Sequence, residues 1–227
     1  MQYRILAFAA LAALTSAMAC SEDDTNSVTA PTSTATVRFV NATGSTDISV
    51  ATNGTIASGN SALGFGGSST CMTVNTTGPG LAFTNSSTGA SINGFTPNFV
   101  ANGNYMVIAY SETNGNTRFA TLDDSFTPAA GQVGLRIFNA APGAGSVVLN
   151  SNGTAIKGGT VTDFGTAGNF FSTPAGSFAF SFNRGTGTSN VADLGTMSLA
   201  AGQTITAIVG PAATGSPMMR GFFATGC

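Results

Sequence analysis

The sequence has no histidine, no tryptophan and a single lysine, Lys157. Without histidine there is no Ser-His-Asp or Cys-His nucleophile and no His-ligated metal site. Charge is equally scarce: Asp, Glu, Lys and Arg make up 7% of residues, against about 25% in ordinary soluble proteins. The net charge is −2. The basic residues beyond Arg4 are scattered singly: Arg38, Arg118, Arg136, Lys157, Arg184 and Arg220. Nucleic-acid binding needs clustered Lys and Arg, so no nucleic-acid partner is expected. No phosphate-binding loop is present, and Lys157 sits beside Gly158-Gly159, where a turn charge is the plain reading. No metal, no cofactor and no catalytic residue is expected.

What is present begins at the N-terminus. Arg4 supplies a positive start, Ile5–Leu14 an apolar run, and Thr15–Ala19 a small-residue stretch. That is the anatomy of a signal peptide over 1–19, too short to span a bilayer, which takes about 20 residues. Ala17-Met18-Ala19-Cys20 reads as a lipobox, making Cys20 the lipidation site and the membrane a partner through that lipid. Ordinary signal cleavage after Ala19 is the other reading, leaving a secreted or periplasmic protein. Residues 20–35 are polar and acidic and are expected to form a flexible tether. Ser21 after the cysteine resembles the outer-membrane sorting pattern, so the expected location is a bacterial outer membrane.

If Cys20 carries lipid, Cys71 and Cys227 remain, two thiols in an oxidising compartment and candidates for one disulfide. Two separate thiols are the alternative.

The rest of the chain repeats itself. Thr36-Val37-Arg38-Phe39-Val40-Asn41-Ala42 returns as Gly134-Leu135-Arg136-Ile137-Phe138-Asn139-Ala140. Asn53-Gly54-Thr55 returns as Asn152-Gly153-Thr154, and Phe65-Gly66 as Phe164-Gly165. Val100–Asn104 returns as Leu199–Gln203. Two repeats follow, 36–125 and 132–227, with a linker at 126–131. Both read as β: period-two alternation, β-branched runs and Gly/Asn turns. Phe178, Phe180 and Phe182 fall on one face, as sandwich core does. The fold class expected is all-β, two tandem immunoglobulin-like or transthyretin-like β-sandwiches.

The repeated starts Val-Arg-Phe-Val-Asn-Ala and Leu-Arg-Ile-Phe-Asn-Ala-Ala-Pro resemble the bacterial domain-of-unknown-function family four-three-nine-seven. Pro174-Ala175-Gly176-Ser177-Phe178 fits a later element of that family, and Leu199–Gln203 fits its strand entry. The first repeat departs, with Thr43-Gly44 in place of Ser-Pro. The resemblance implies an envelope or secreted β-module, often lipid-anchored, and no activity.

Arg38 and Arg136 hold equivalent places in the repeats, either as ligand contacts or as strand arginines facing outward or pairing with a nearby acid. Asp123-Asp124 read as solvated linker charges. Asp47, Glu112, Asp163 and Asp193 are isolated. These residues point to a non-enzymatic, surface-interaction or adhesion module of the envelope, whose partner is an envelope or extracellular protein or a polysaccharide. The alternative is a glycan-binding module, with Tyr105 and Tyr110 as exposed aromatics.

Overall fold

Asn-Gly turns and alternating apolar residues produce β-structure throughout. The computed structural model describes residues 33–227 except 79, 97, 162, 186–188, 215 and 217. The signal segment, Cys20 and the tether up to residue 32 lie outside the described residues. The strands of the first half are β1 (Thr34–Ala42), β2 (Ile48–Thr52), β3 (Met72–Asn75), β4 (Leu81–Asn85), β5 (Asn104–Ser111) and β6 (Thr117–Asp123). Those of the second half are β7 (Gln132–Asn139), β8 (Val147–Ser151), β9 (Thr154–Val161), β10 (Phe171–Pro174), β11 (Gly176–Arg184), β12 (Asn190–Leu199), β13 (Thr204–Gly210) and β14 (Arg220–Thr225). Among the described residues there is no helix.

One sheet runs β3-β1-β5-β6 and another β10-β7-β13-β14. In both the two central strands are parallel, β1 with β5 and β7 with β13, and the outer pairs are antiparallel. The same strand order and sense therefore occur twice. Parallel neighbours need a long crossover, and here the intervening chain builds an outer layer. In the first half that layer is the pair β2-β4; in the second it is the sheet β12-β11-β8-β9.

Side-chain parity explains the stacking. Along β1, Ala35, Val37 and Phe39 enter a core shared with β2 and β4, while Val40 and Ala42 enter another. Along β7, Val133, Leu135 and Ile137 face the core beneath β8 and β11, while Phe138 faces the other way. Strands buried on both faces read as near-continuous apolar runs, as Met106–Ala109 and Ile205–Val209 do. The outward face of each inner sheet meets the other: Val40, Ala42, Met106 and Ile108 pack with Phe138, Ala140, Ile208 and Ala224 in one buried cluster. The two halves thus share a core, and residues 33–227 fall within one compact unit.

The segment expected to be a linker is built into this arrangement. Phe126 stacks on Phe170 with ring centroids 4.9 Å apart and planes at 14°. It also fills the space where a side chain at Gly134 would lie.

The recurrent motif asparagines tie the strand ends. Asn41 is fully buried and donates from Nδ2 to the carbonyls of Thr46 and Leu63, while its Oδ1 accepts from Thr43 N–H. Asn139 repeats the pattern, donating to Gly145 O and accepting from Ala141 N–H. Buried carboxamides with these bonds are satisfied. Asn53-Gly54 and Asn152-Gly153 both have positive φ at both residues, the conformation of a two-residue hairpin turn that favours Asn-Gly.

Phe138 is fully buried at the centre of the shared core. Phe138→Ala should lower the unfolding free energy by about 3–5 kcal/mol, read as a shift of the urea midpoint with unchanged slope.

Candidate functional site

The two repeated arginines lie on the face between the halves, and each reaches across to the other half. Arg38 on β1 donates from Nη1 to Thr225 O at 2.8 Å, and its Nη2 lies 3.2 Å from Cys71 Sγ. Arg136 on β7 donates from Nη1 to Asp123 O at 2.6 Å and from Nη2 to Asp124 Oδ1 at 2.9 Å. Its Nε donates to Thr206 Oγ1, and its guanidinium carbon lies 4.3 Å from the centroid of the Phe170 ring. These contacts occupy Arg136, which is 4% exposed, as a clasp rather than as a ligand contact. Of the alternatives for it, pairing with a nearby acid is the one observed, and an outward-facing arginine is not.

Asp124 therefore departs from the solvated linker charge expected of it. Its side chain is 2% exposed. Burial pushes its carboxyl above the usual range, against the opposing pull of Arg136, Arg38 and the backbone N–H of Cys227. Burial likewise pushes Arg136 down to about 10 against the pull of Asp124 and Asp123. For both partners desolvation outweighs attraction, the balance typical of a buried pair. Asp123, at the end of β6, is exposed; its carboxyl is held low by hydrogen bonds from the Ser125 side chain and backbone.

Why only one half carries this acid is visible at Gly226. Asp124 N donates to Asn104 O, and Gly226 N donates to Thr204 O, so the two residues occupy matching places. A Cβ at Gly226 would collide with Asp124 Oδ2 and Thr204 Oγ1. The glycine leaves room for one carboxylate.

Cys71 and Cys227 are bonded as a disulfide, Cα–Cα 5.9 Å, beside Arg38. The bond joins the segment before β3 to the end of the chain beyond β14, so it also bridges the halves.

The other candidates are dispersed. Lys157 is exposed on β9, not in a turn. Asp193 caps a turn by accepting Gly195 N–H at Oδ1, and the backbone carbonyl of Asp163 accepts from the Thr166 hydroxyl. Asp47 accepts Ser86 N–H with its backbone carbonyl. Tyr105 and Tyr110 are not exposed platforms: both are half-buried. Tyr105 packs on Phe99 and its hydroxyl accepts Val100 N–H; Tyr110 lies between Phe138 and Phe164. Burial raises the Tyr110 hydroxyl. Phe180 and Phe182 are core, with Phe178 packed partly buried against it. Among the described residues no three His, Cys, Asp or Glu side chains gather as a metal site would require.

A recess that the sequence did not announce opens at the other end of the first half. It measures about 510 Å³ and lies between the segment Asn85–Gly94 and the hairpin residues Gly115–Arg118. Glu112 fastens the hairpin, accepting from Arg118 Nε at 2.8 Å. That bond, with weaker ones from Asn114 and Asn116, holds the Glu112 carboxyl below its usual range. Ile92 N–H bonds Phe83 O and Asn85 N–H bonds Ala90 O, fixing the opposite wall. A second recess of about 200 Å³ shares the wall Ser91–Gly94 and is bordered by Phe83 and Phe95. No spacing in the sequence links residues 85–94 to 115–118; the stacking of the β2-β4 pair on the inner sheet brings them together.

Two predictions follow from the clasp. Asp124→Leu or Arg136→Met alone should destabilise by about 3–5 kcal/mol, while the two together should be neutral or stabilising; a double-mutant cycle in urea measures this. Reducing the Cys71–Cys227 bond, which spans 156 residues, should cost about 4–5 kcal/mol on the loop-entropy model, read as the difference between urea curves with and without reductant.

Comparison with known proteins gives one family match. A model described as Domain of unknown function (DUF4397) matches residues 35–150, running past residue 125 through β7 and most of β8. No curated protein matches. Among solved structures, the chain is similar at 10% identity to a family 26 carbohydrate-binding module of Amy13K from Eubacterium rectale, crystallised with maltoheptaose. That alignment covers 85% of this chain and 95% of that one with a TM-score of 0.23, too slight a likeness to carry an argument. The family model spans more than half of the sequence, and the chain belongs to the family described as Domain of unknown function DUF4397.

Proposed function

We propose that this chain is a non-enzymatic, lipid-anchored protein of the bacterial envelope that acts by surface contact, with its body made of two copies of the family domain. The observation that carries this reading is where the reactive-looking residues go. Arg38, Arg136, Asp124, Cys71 and Cys227 are bound to one another or to backbone between the halves. The chemistry of the sequence is spent on joining two modules. The recurrence of one strand order in β3-β1-β5-β6 and β10-β7-β13-β14 supports the two-copy reading.

Lipidation at Cys20 would supply the anchor, and the first strand of the body, β1, begins at one end of the first half. Ser33 and Thr34 bond Thr76 and Asn102 there. β5 runs from that end for 8 residues, about 26 Å at the usual rise, to the hairpin that bounds the larger recess. The start of β1 and the larger recess thus stand at opposite ends of the first half. A glycan-binding module is the second reading, favoured by that recess.

Protease treatment of intact and lysed cells, beside a Cys20→Ala strain, tests the proposal. Wild-type protein should fractionate with membranes and Cys20→Ala with soluble protein. Equal solubility of the two would overturn the anchor. Cleavage of the body on intact cells is the result expected of an outward-facing adhesion module; cleavage only after lysis would contradict outward contact.

A further inference from the structure

We infer that the recess between Ser91–Gly94 and Gly115–Arg118 binds a neutral saccharide chain. The inference deepens the glycan reading of the proposed function and rests on it.

The walls of the recess present groups that both donate and accept. Asn93, Asn116, Ser91 and Thr117 line it, and carboxamides and hydroxyls pair well with sugar hydroxyls, which also do both. Within the described residues neither the Asn93 carboxamide nor the Ser91 hydroxyl has a hydrogen-bond partner. Asn85 is different: its Oδ1 already accepts from Ser87 and Thr88 and serves to hold the wall.

Charge selects the ligand class. Arg118 is the one cation at the recess, and Glu112 balances it at 2.8 Å. Its side chain is 60% exposed and only Nε is engaged, so its terminal nitrogens remain as donors without a net positive field to gather anions. An acidic polymer would meet the Glu112 carboxylate beside the single arginine. A neutral sugar meets a fork of donors, the Asn93 carboxamide and the Ser91 hydroxyl.

Apolar groups stand beside the polar ones. Ile92, Ala90, Gly94 and Gly115 contribute carbon to the larger recess. Phe95 borders the adjoining one, half-buried, held edge-on by Phe83 and Phe119. Both walls are fixed by backbone hydrogen bonds before any ligand arrives, which reduces the ordering cost of binding. The volume of about 510 Å³ falls in the usual range for small-molecule sites, about 300–1,000 Å³.

The test is an array of short neutral and acidic oligosaccharides probed with the full chain, followed by calorimetric titration of any sugar retained. A neutral oligosaccharide should bind. Asn93→Ala, which removes an unpartnered exposed carboxamide and should leave the fold intact, should weaken binding about tenfold, the value of one hydrogen bond. Thr117→Val should weaken it in the same direction, and Lys157→Ala on the far β9 should not change it. Three results would overturn the site: no neutral sugar retained, retention of acidic sugars only, or retention that Asn93→Ala and Thr117→Val leave unaltered. The last would remove this recess while leaving glycan binding elsewhere, and none of the three bears on the Cys20 anchor, which cell fractionation reads separately.

Discussion

Everything in the body is organised around the apolar layer between the two inner sheets. Once Val40, Met106 and Ile108 are committed to face Phe138 and Ile208, the central strands are buried on both sides. A polar group left there without a partner is costly. Each fully buried Phe, Ile, Leu or Val contributes about 1.5–3 kcal/mol, so the layer is a large part of what holds the halves together. It also dictates the odd chemistry at its end. Two arginines sit on that same face, and each must find oxygen acceptors in the opposite half. Arg38 finds Thr225, and Arg136 finds Asp123 and Asp124.

The clasp is nearly symmetric, and its asymmetry has a cause. Matching backbone bonds place Asp124 and Gly226 at equivalent points, but there is space for one carboxylate only. The second arginine is served by carbonyl and hydroxyl oxygens, with Cys71 Sγ nearby and its Nε left without a partner. The disulfide closes beside it. An ion pair on one side and a covalent bond on the other fasten the same end of the layer, where a desolvated ion pair alone contributes little net stability.

Much of the fold was legible because its determinants are local. The Val-Arg-Phe-Val-Asn-Ala and Leu-Arg-Ile-Phe-Asn-Ala motifs mark β1 and β7. The runs Tyr105–Tyr110 and Thr204–Val209 mark β5 and β13, and Asn53-Gly54 and Asn152-Gly153 mark turns by their positive φ. Phe180 and Phe182 are core, as their period-two spacing implies. What was not legible depends on how sheets stack. Asp124 reads as a solvated acid beside a proline-containing linker until the second half covers it. Tyr105 and Tyr110 read as surface aromatics until Phe99 and Phe164 close over them. The segment 126–131 reads as a spacer until Phe126 meets Phe170. The recess joins residues about 25 positions apart through the stacking of two sheets, and no periodicity reports that.

The central claim is that the halves form one cooperative body through a shared core, not two beads on a string. Native-state hydrogen exchange under increasing urea, with the disulfide reduced so that covalent coupling is absent, tests it most directly. The account predicts that amides of β1 and β5 and amides of β7 and β13 exchange with a common opening free energy and a common denaturant slope. If the amides of one half open at distinctly lower urea while the other half stays protected, the shared layer does not couple them, and the account fails.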